Sequence, residues 1–398
     1  MSTAAAPPTA HPWDRVQNAA LVVGAAGVLL CVAGAVVSPA HFFRAWLVGF
    51  NFWLGVALGC MVLLMVQHLT GGAWGILLRR ILEAGSRTLL PLAVFAVPLL
   101  FGLRLLYPMW ADPDRAKDIP EVAHKSVYLN VPGFVIRLAI YFVVWLVLAA
   151  FLNRWSARQD EDAPAGVGSE RRFRLLSAPG LALYGLTITF ASVDWLMSLE
   201  PRWYSTIYPV VFGVGQALEG IAFAALVLVF LAAYPPLSAV VRPVHFRDVG
   251  NLLLLFVMMW AYVSFSQYLL IWAENLPEET PWYLRRLRGG WGWVALLLVF
   301  FQFVAPFVFL LFRDVKEDPR RLAGIARLVL VMRFVDVCWW TEAAFQDVSW
   351  YVLLDVAAAA GMGGLWLWWF LWQLGRRPLL PLHDPFLPEY LPEAVQHG

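Results

Sequence analysis

The sequence predicts an all-α integral membrane protein with ten transmembrane helices. Three observations carry that prediction. Of 398 residues, 61% are hydrophobic and 14% charged, whereas a soluble domain carries roughly 25% charged residues. Apolar runs of about twenty residues, the length that crosses a hydrocarbon core, recur along the whole chain. Many of the 21 tryptophans stand near the ends of those runs, as in the aromatic belts at the two membrane interfaces.

The elements follow in order. A tail over 1–17 precedes a first span over 18–38, too long for the apolar core of a signal peptide. Further spans are predicted over 43–69, 88–108, 132–152, 177–199, 207–233, 249–273, 291–312, 322–341 and 349–373. A single transmembrane domain thus covers 18–373. The tail over 374–398 carries Pro378, Pro381, Pro385, Pro388 and Pro392. It cannot continue a helix and is expected to lie along a surface or a partner. Two connections are long: 107–131, with turn signals at Pro108, Asp112, Pro113 and Pro120, and 153–176, with the acidic run from Gln159 to Asp162 and the glycines Gly166 and Gly168.

Placing the N-terminus in the cytoplasm puts Arg79, Arg80, Arg87, Arg154, Arg158, Arg171, Arg172, Arg174, Arg320, Arg321, Arg376 and Arg377 on the cytoplasmic side, among others. A smaller set, Arg44, Arg115, Lys117, Lys125, Arg202, Arg285, Arg286 and Arg288, falls outside. The bias orients both termini to the cytoplasm. A net charge of +2 gives no sign of a nucleic-acid partner. Cys31, Cys60 and Cys338 lie within apolar runs, so neither a disulfide framework nor thiolate metal ligation is indicated.

With no soluble catalytic module, function has to come from polar groups inside the spans. Asp194 and Glu219 stand in runs otherwise apolar enough for lipid, where a carboxylate costs roughly 2.5–3.5 kcal/mol unless it is neutral, paired or wet. Tyr184, Thr187, Ala191, Asp194 and Ser198 are three or four residues apart and share one helical face. Gln216 and Glu219 lie one turn apart beside Gly213, Gly215 and Gly220. The predicted directions put Arg104, Arg137, Asp194, Asp336 and Asp355 in the outer half and Glu219 near the midplane. His68 and Asp248 fall at cytoplasmic helix ends.

Each candidate also has a plain structural reading. Arg333 and Asp336, at i and i+3, read as a local ion pair. Asp194 reads as the partner of Arg104 or Arg137, stitching helices together. Glu219 has no basic neighbour at helical spacing in its own span, which leaves a protonated carboxyl bonded across helices. Interfacial anchoring accounts for His68, and a helix N-cap for Asp248. Haem is not indicated: there is no Cys-x-x-Cys-His, and among the histidines His68 alone ends a span. No redox centre of the chain's own, no metal and no covalent cofactor are expected.

The run Phe190-Ala-Ser-Val-Asp-Trp-Leu-Met-Ser-Leu-Glu-Pro-Arg-Trp-Tyr-Ser-Thr-Ile-Tyr208 resembles the fifth-helix motif of the ActF-type membrane subunit of alternative complex III, a quinol:cytochrome c oxidoreductase. The runs from His68 to Gly75, Ala261 to Tyr268 and Trp272 to Thr280 resemble the same family, in order. Where that family commonly reads His-x-His-Asp-Leu-Gly-Lys, this chain reads His245-Phe-Arg-Asp-Val-Gly-Asn251. His245 and Asp248 match, Arg247 and Asn251 do not, and Glu274 adds an acid to the outer side.

The resemblance implies a polysulfide-reductase-like (NrfD-like) fold in which spans 2–5 and 6–9 form two four-helix bundles and two helices stay peripheral. It implies a bacterial inner (cytoplasmic) membrane location in the respiratory chain. The implied partners are a sister NrfD-like subunit, an iron–sulfur protein, c-type cytochromes and a quinone pool of menaquinone or ubiquinone. On this reading the chain is a non-haem anchor with a proton half-channel. Asp194, Glu219, His68, Asp248 and His245 are the proton-path candidates, and Arg104, Arg137, Arg333, Asp336 and Asp355 their charge partners. Two alternatives stay open: a quinone-binding subunit with its own headgroup site, for which Asp194 and His68 are partners at opposite ends of their spans, and an autonomous proton-coupled secondary transporter.

Overall fold

A computed structural model describes residues 11–161, 168–345, 352–381, 383–384 and 387. The acidic run's Asp162, Gly166, and Pro385, Pro388 and Pro392 of the tail lie outside the described residues. All described elements are helical. The long ones are α1 (Asp14–Val37), α2 (Pro39–Thr70), α3 (Ala73–Ser86), α4 (Leu89–Phe101), α5 (Val131–Glu161), α6 (Gly168–Trp195), α7 (Tyr208–Leu231), α8 (Pro243–Glu274), α9 (Trp291–Leu311), α10 (Pro319–Thr341) and α11 (Val352–Leu374). Among the described residues, nine helical segments are long and apolar enough to cross a membrane, with α3 and α4 together making one of them. This is a multi-pass, all-α membrane protein.

Helix α10 has the length of a span, 23 residues or about 35 Å. Arg320, Arg321, Arg327, Arg333 and Asp336 interrupt its apolar surface. Its start is set by Pro319 in the first turn and by the Asp318 side chain, which accepts from the backbone N–H groups of Arg320 (2.8 Å) and Arg321 (3.1 Å). Those N–H groups, Arg321's foremost, hold the Asp318 carboxyl below the usual carboxylate range.

The observed helices outrun the predicted spans. Proline at N1 opens α2 and α8 upstream of their apolar runs. The cytoplasmic connection predicted over 153–176 is largely helix: α5 continues to Glu161 and α6 begins at Gly168. Arg154, Arg158 and Gln159 are good helix formers, so leaving the apolar stretch does not end the helix. The stretch after His68, expected to be a connection, instead folds into α3, joined to α4 across Arg87 and Thr88. Span eight contains a π-helical turn over Leu298–Val304.

Helix α2 is the centre of the molecule, buried almost continuously from Ala45 to His68. It packs on α3, α4, α6, α7 and α11, while α1 lies along α11 on the outside. Helix α7 packs on α2, α6, α8 and α10; α5 joins α4 to α6, and α9 joins α8 to α10. The α2–α7 crossing is close enough to exclude side chains. A Cβ on Gly220 would sit 2.5 Å from the backbone carbon of Gly59, so glycine is what lets the two backbones meet.

Candidate functional site

Asp194 and Glu219 both lie buried inside this helical scaffold, and their sites differ in charge balance. At the first, Asp194 ends α6 and faces Arg137 of α5. The guanidinium grips both carboxylate oxygens, with Nε 2.9 Å from Oδ2 and Nη2 2.8 Å from Oδ1. The Tyr141 hydroxyl donates to Oδ2 at 2.7 Å. Arg137 also donates to the Tyr128 carbonyl (2.9 Å) and lies 3.9 Å over the Tyr128 ring. Burial, and then the Asp194 charge, push the Tyr128 phenol above its ordinary range, so it stays a neutral hydroxyl.

Local sequence builds this clamp. Past Asp194 the helix tightens into a 3-10 turn over Met197–Leu199. Its freed carbonyls are taken by aromatic donors of the segment after α4: Tyr107 bonds the Trp195 carbonyl at 2.9 Å and Trp110 the Ser198 carbonyl at 3.1 Å. One cation meets one anion, so the pair is neutral. Arg104, the other expected partner, is exposed and is not the group that holds Asp194.

At the second site Arg333 of α10 bridges two carboxylates. It binds Oε1 of Glu219 on α7 through Nε (3.1 Å) and Nη2 (3.0 Å), and Nη1 bonds Asp336 one turn along α10. Trp260 of α8 and Trp340 of α10 donate their indole N–H groups to Asp336 at 3.1 and 3.0 Å. The pair Arg333–Asp336 is therefore not self-contained, and Glu219 does have a basic partner, supplied by another helix. Oε2 of Glu219 has no hydrogen-bond partner among the described residues. It rests against Gly55 of α2, where a Cβ would lie 1.7 Å from it. All three charged side chains are buried, with exposures of 1%, 4% and 2% for Glu219, Arg333 and Asp336.

The polar stripe on α6 is real but divided. Tyr184 donates to Gln216, one turn from Glu219 (2.7 Å), and Thr187 accepts from the Trp145 indole (2.9 Å). Between Thr187 and Asp194 stand the rings of Tyr141, Trp145 and Trp195, packed edge to face and stacked. No hydrogen bond joins the Asp194 clamp to the Glu219 triad among the described residues, and aromatic packing separates the two ends of the stripe.

The remaining candidates are dispersed. His68 ends α2, stacked 4.4 Å from Phe173, with Nε2 buried and without a partner among the described residues. His245 caps α8, its Nδ1 accepting from the Arg242 backbone N–H at 3.1 Å. Because α8 starts at Pro243, Asp248 is not an N-cap; it is part-exposed, 4.0 Å from Arg247. Asp355 is buried at the start of α11, within electrostatic reach of Glu342 and Arg44. No three His, Cys, Asp or Glu side chains among the described residues form a metal-ligating group.

Two clusters escaped sequence reasoning. On α3, Glu83 holds both Arg79 (3.1 Å) and Arg80 (2.8 Å), and Arg377 of the tail reaches it at 3.2 Å. The i,i+4 and i,i+3 spacing was the available signal, hidden because the segment read as a connection. On the other side, Glu200 binds Arg285 (2.9 Å) and Arg286 (2.6 Å), the latter buried and 3.7 Å over the Trp282 ring. Compared with protein-family models and with curated proteins, the chain matches none.

Proposed function

We propose that this chain is a non-haem membrane subunit of a respiratory quinol-oxidising complex of the alternative complex III type, and that the Glu219–Arg333–Asp336 triad exchanges a proton within it. The observation that carries the proton role is charge balance. A single buried guanidinium serves two buried carboxylates. Three ionised groups would leave one uncompensated negative charge in a low-dielectric interior, which is strongly unfavourable. One proton on the triad removes it. The unbonded Oε2 of Glu219 is the available acceptor. Asp194, balanced one to one by Arg137, is a clamp between α5 and α6 and holds no such proton.

The family assignment rests on the resemblance of the run from Phe190 to Tyr208, whose Asp194, Ser198 and Glu200 are all engaged in buried contacts. On this reading α10 is the ninth of ten spans. Helices α2, α3–α4, α5 and α6 then make one four-helix bundle and α7 to α10 the other, with α1 and α11 peripheral and both termini cytoplasmic. The contacts of α2, α4, α5 and α6, and separately of α7, α8, α9 and α10, support that division. The partners are a sister NrfD-like subunit, an iron–sulfur protein and c-type cytochromes, in a bacterial inner membrane. Affinity purification from native membranes tests it: multihaem and iron–sulfur absorbance should accompany the chain, and isolation without them would favour an autonomous transporter.

A quinone-binding reading has one observation behind it. An apolar cavity of about 360 Å³ opens beside the clamp, lined by Tyr128, Val193, Met197 and Trp203. The Trp203 indole N–H is buried without a partner among the described residues. Both Asp194 oxygens are already occupied by Arg137 and Tyr141, so on this reading the headgroup donor is Trp203. Photo-crosslinking with an azido-quinone should label this cavity, and labelling elsewhere would discard it.

A further inference from the structure

The cavity beside the Asp194 clamp, about 360 Å³ in volume, has mainly apolar walls, but three of the residues lining it carry donors with capacity to spare. Lys125 gives one of its three ammonium protons to the Pro201 carbonyl at 2.7 Å. Trp203, 4% exposed, keeps a buried indole N–H without a partner among the described residues, and the buried Tyr128 hydroxyl has none there either. Among the described residues no carboxylate lines the cavity. Glu121, one turn before Lys125, is exposed and stands 3.9 Å from Arg202. Burial lowers the affinity of the Lys125 ammonium for its proton, with Glu121 opposing. An anion in the cavity would hold that charge in place.

An apolar stripe on α6 leads to this cavity. Leu183, Leu186 and Phe190, 43%, 57% and 42% exposed, follow one another at three- and four-residue spacing, and Val193 continues the stripe into the cavity wall. From Leu183 to Val193 the helix rises about 15 Å. That is half of a hydrocarbon core roughly 30 Å thick, the depth of one leaflet. An exposed apolar stripe alone suits any bilayer. One that ends among spare donors and a cation suits a molecule with an apolar chain and an anionic head.

We propose that the cavity binds the phosphate headgroup of an anionic phospholipid whose acyl chain lies along Leu183, Leu186 and Phe190. Lys125 supplies the cation, and Trp203 and Tyr128 supply hydrogen bonds to the phosphate oxygens. A neutral quinone would leave the Lys125 charge unmatched. Lipid and quinone are therefore alternative occupants of one space, and the proton role of Glu219 depends on neither.

Two photoactivatable probes test this on the full chain in phosphatidylcholine nanodiscs: phosphatidylglycerol and diacylglycerol, with identical acyl chains carrying the diazirine close to the headgroup. Mapped by mass spectrometry, phosphatidylglycerol should label the stretch from Val193 to Met197 at least fivefold more than diacylglycerol does. Lys125→Gln should abolish that preference and Lys125→Arg should keep it, with both variants unfolding at the wild-type temperature. Val193→Trp, which fills the cavity, should remove the labelling. Equal labelling by the two probes would overturn the proposal, as would an unchanged preference in Lys125→Gln. Displacement of the probe by inorganic phosphate would make this a free-anion site, and displacement by a neutral quinone would give the space to the quinone; either result contradicts a lipid site.

Discussion

At the residue scale, charge balance separates two buried carboxylates that look alike. Arg333→Met leaves Glu219 and Asp336 facing each other without a cation, and should destabilise the protein by about 3–5 kcal/mol, read from thermal unfolding in detergent. Glu219→Gln and Asp336→Asn each leave a one-to-one pair and should lower stability much less. Equal losses in all three would contradict a triad with one surplus charge. At the clamp, Asp194→Asn strands part of the Arg137 charge and should cost about 1–3 kcal/mol. Adding Arg137→Gln should restore part of it, as a coupled pair requires. Asp194 and Glu219 were legible as costly carboxylates because each stood alone in an apolar run. Their partners were not, because Arg137 is 57 residues from Asp194 and Arg333 is 114 from Glu219. Helical spacing reports only neighbours on the same helix.

At the element scale, hydropathy located the spans and misjudged what lies between them. Helix α3 was missed because Arg79, Arg80 and Glu83 made it read as a polar connection. In the folded chain those charges join Arg377, Asp160 and Asp384 in a network of three cations and three anions, and are themselves buried at 2–3% exposure. The ends of α5 and α6 were placed short for a related reason: leaving the hydrocarbon ends the apolar run but not the helix. The α2–α7 crossing gives the sharpest prediction at this scale. Gly220→Val inserts a branched side chain where even a Cβ would lie 2.5 Å from the Gly59 backbone. It should destabilise by about 1–3 kcal/mol and weaken the contact between α2 and α7, measurable as faster proteolysis between α6 and α7. Unaltered unfolding and cleavage would mean that the crossing is looser than described.

At the scale of the whole molecule, α2 and α7 form the hub, and the Glu219 carboxylate sits at their crossing against Gly55. That position couples the charged triad of α7 and α10 to α2, the most buried helix. The overall class was legible in composition, and the proline-opened helices followed from local chemistry. The interruption of the polar stripe by Tyr141, Trp145 and Trp195, and the return of the tail onto Arg79 across 305 residues, are tertiary facts that no local pattern encodes. The proton role is tested most directly by the proton-to-electron ratio of the purified complex in liposomes during quinol oxidation. Glu219→Gln should lower that ratio while Asp194→Asn, in the fraction that assembles, leaves it intact. An unchanged ratio and turnover in Glu219→Gln would contradict the central claim and reduce the triad to packing.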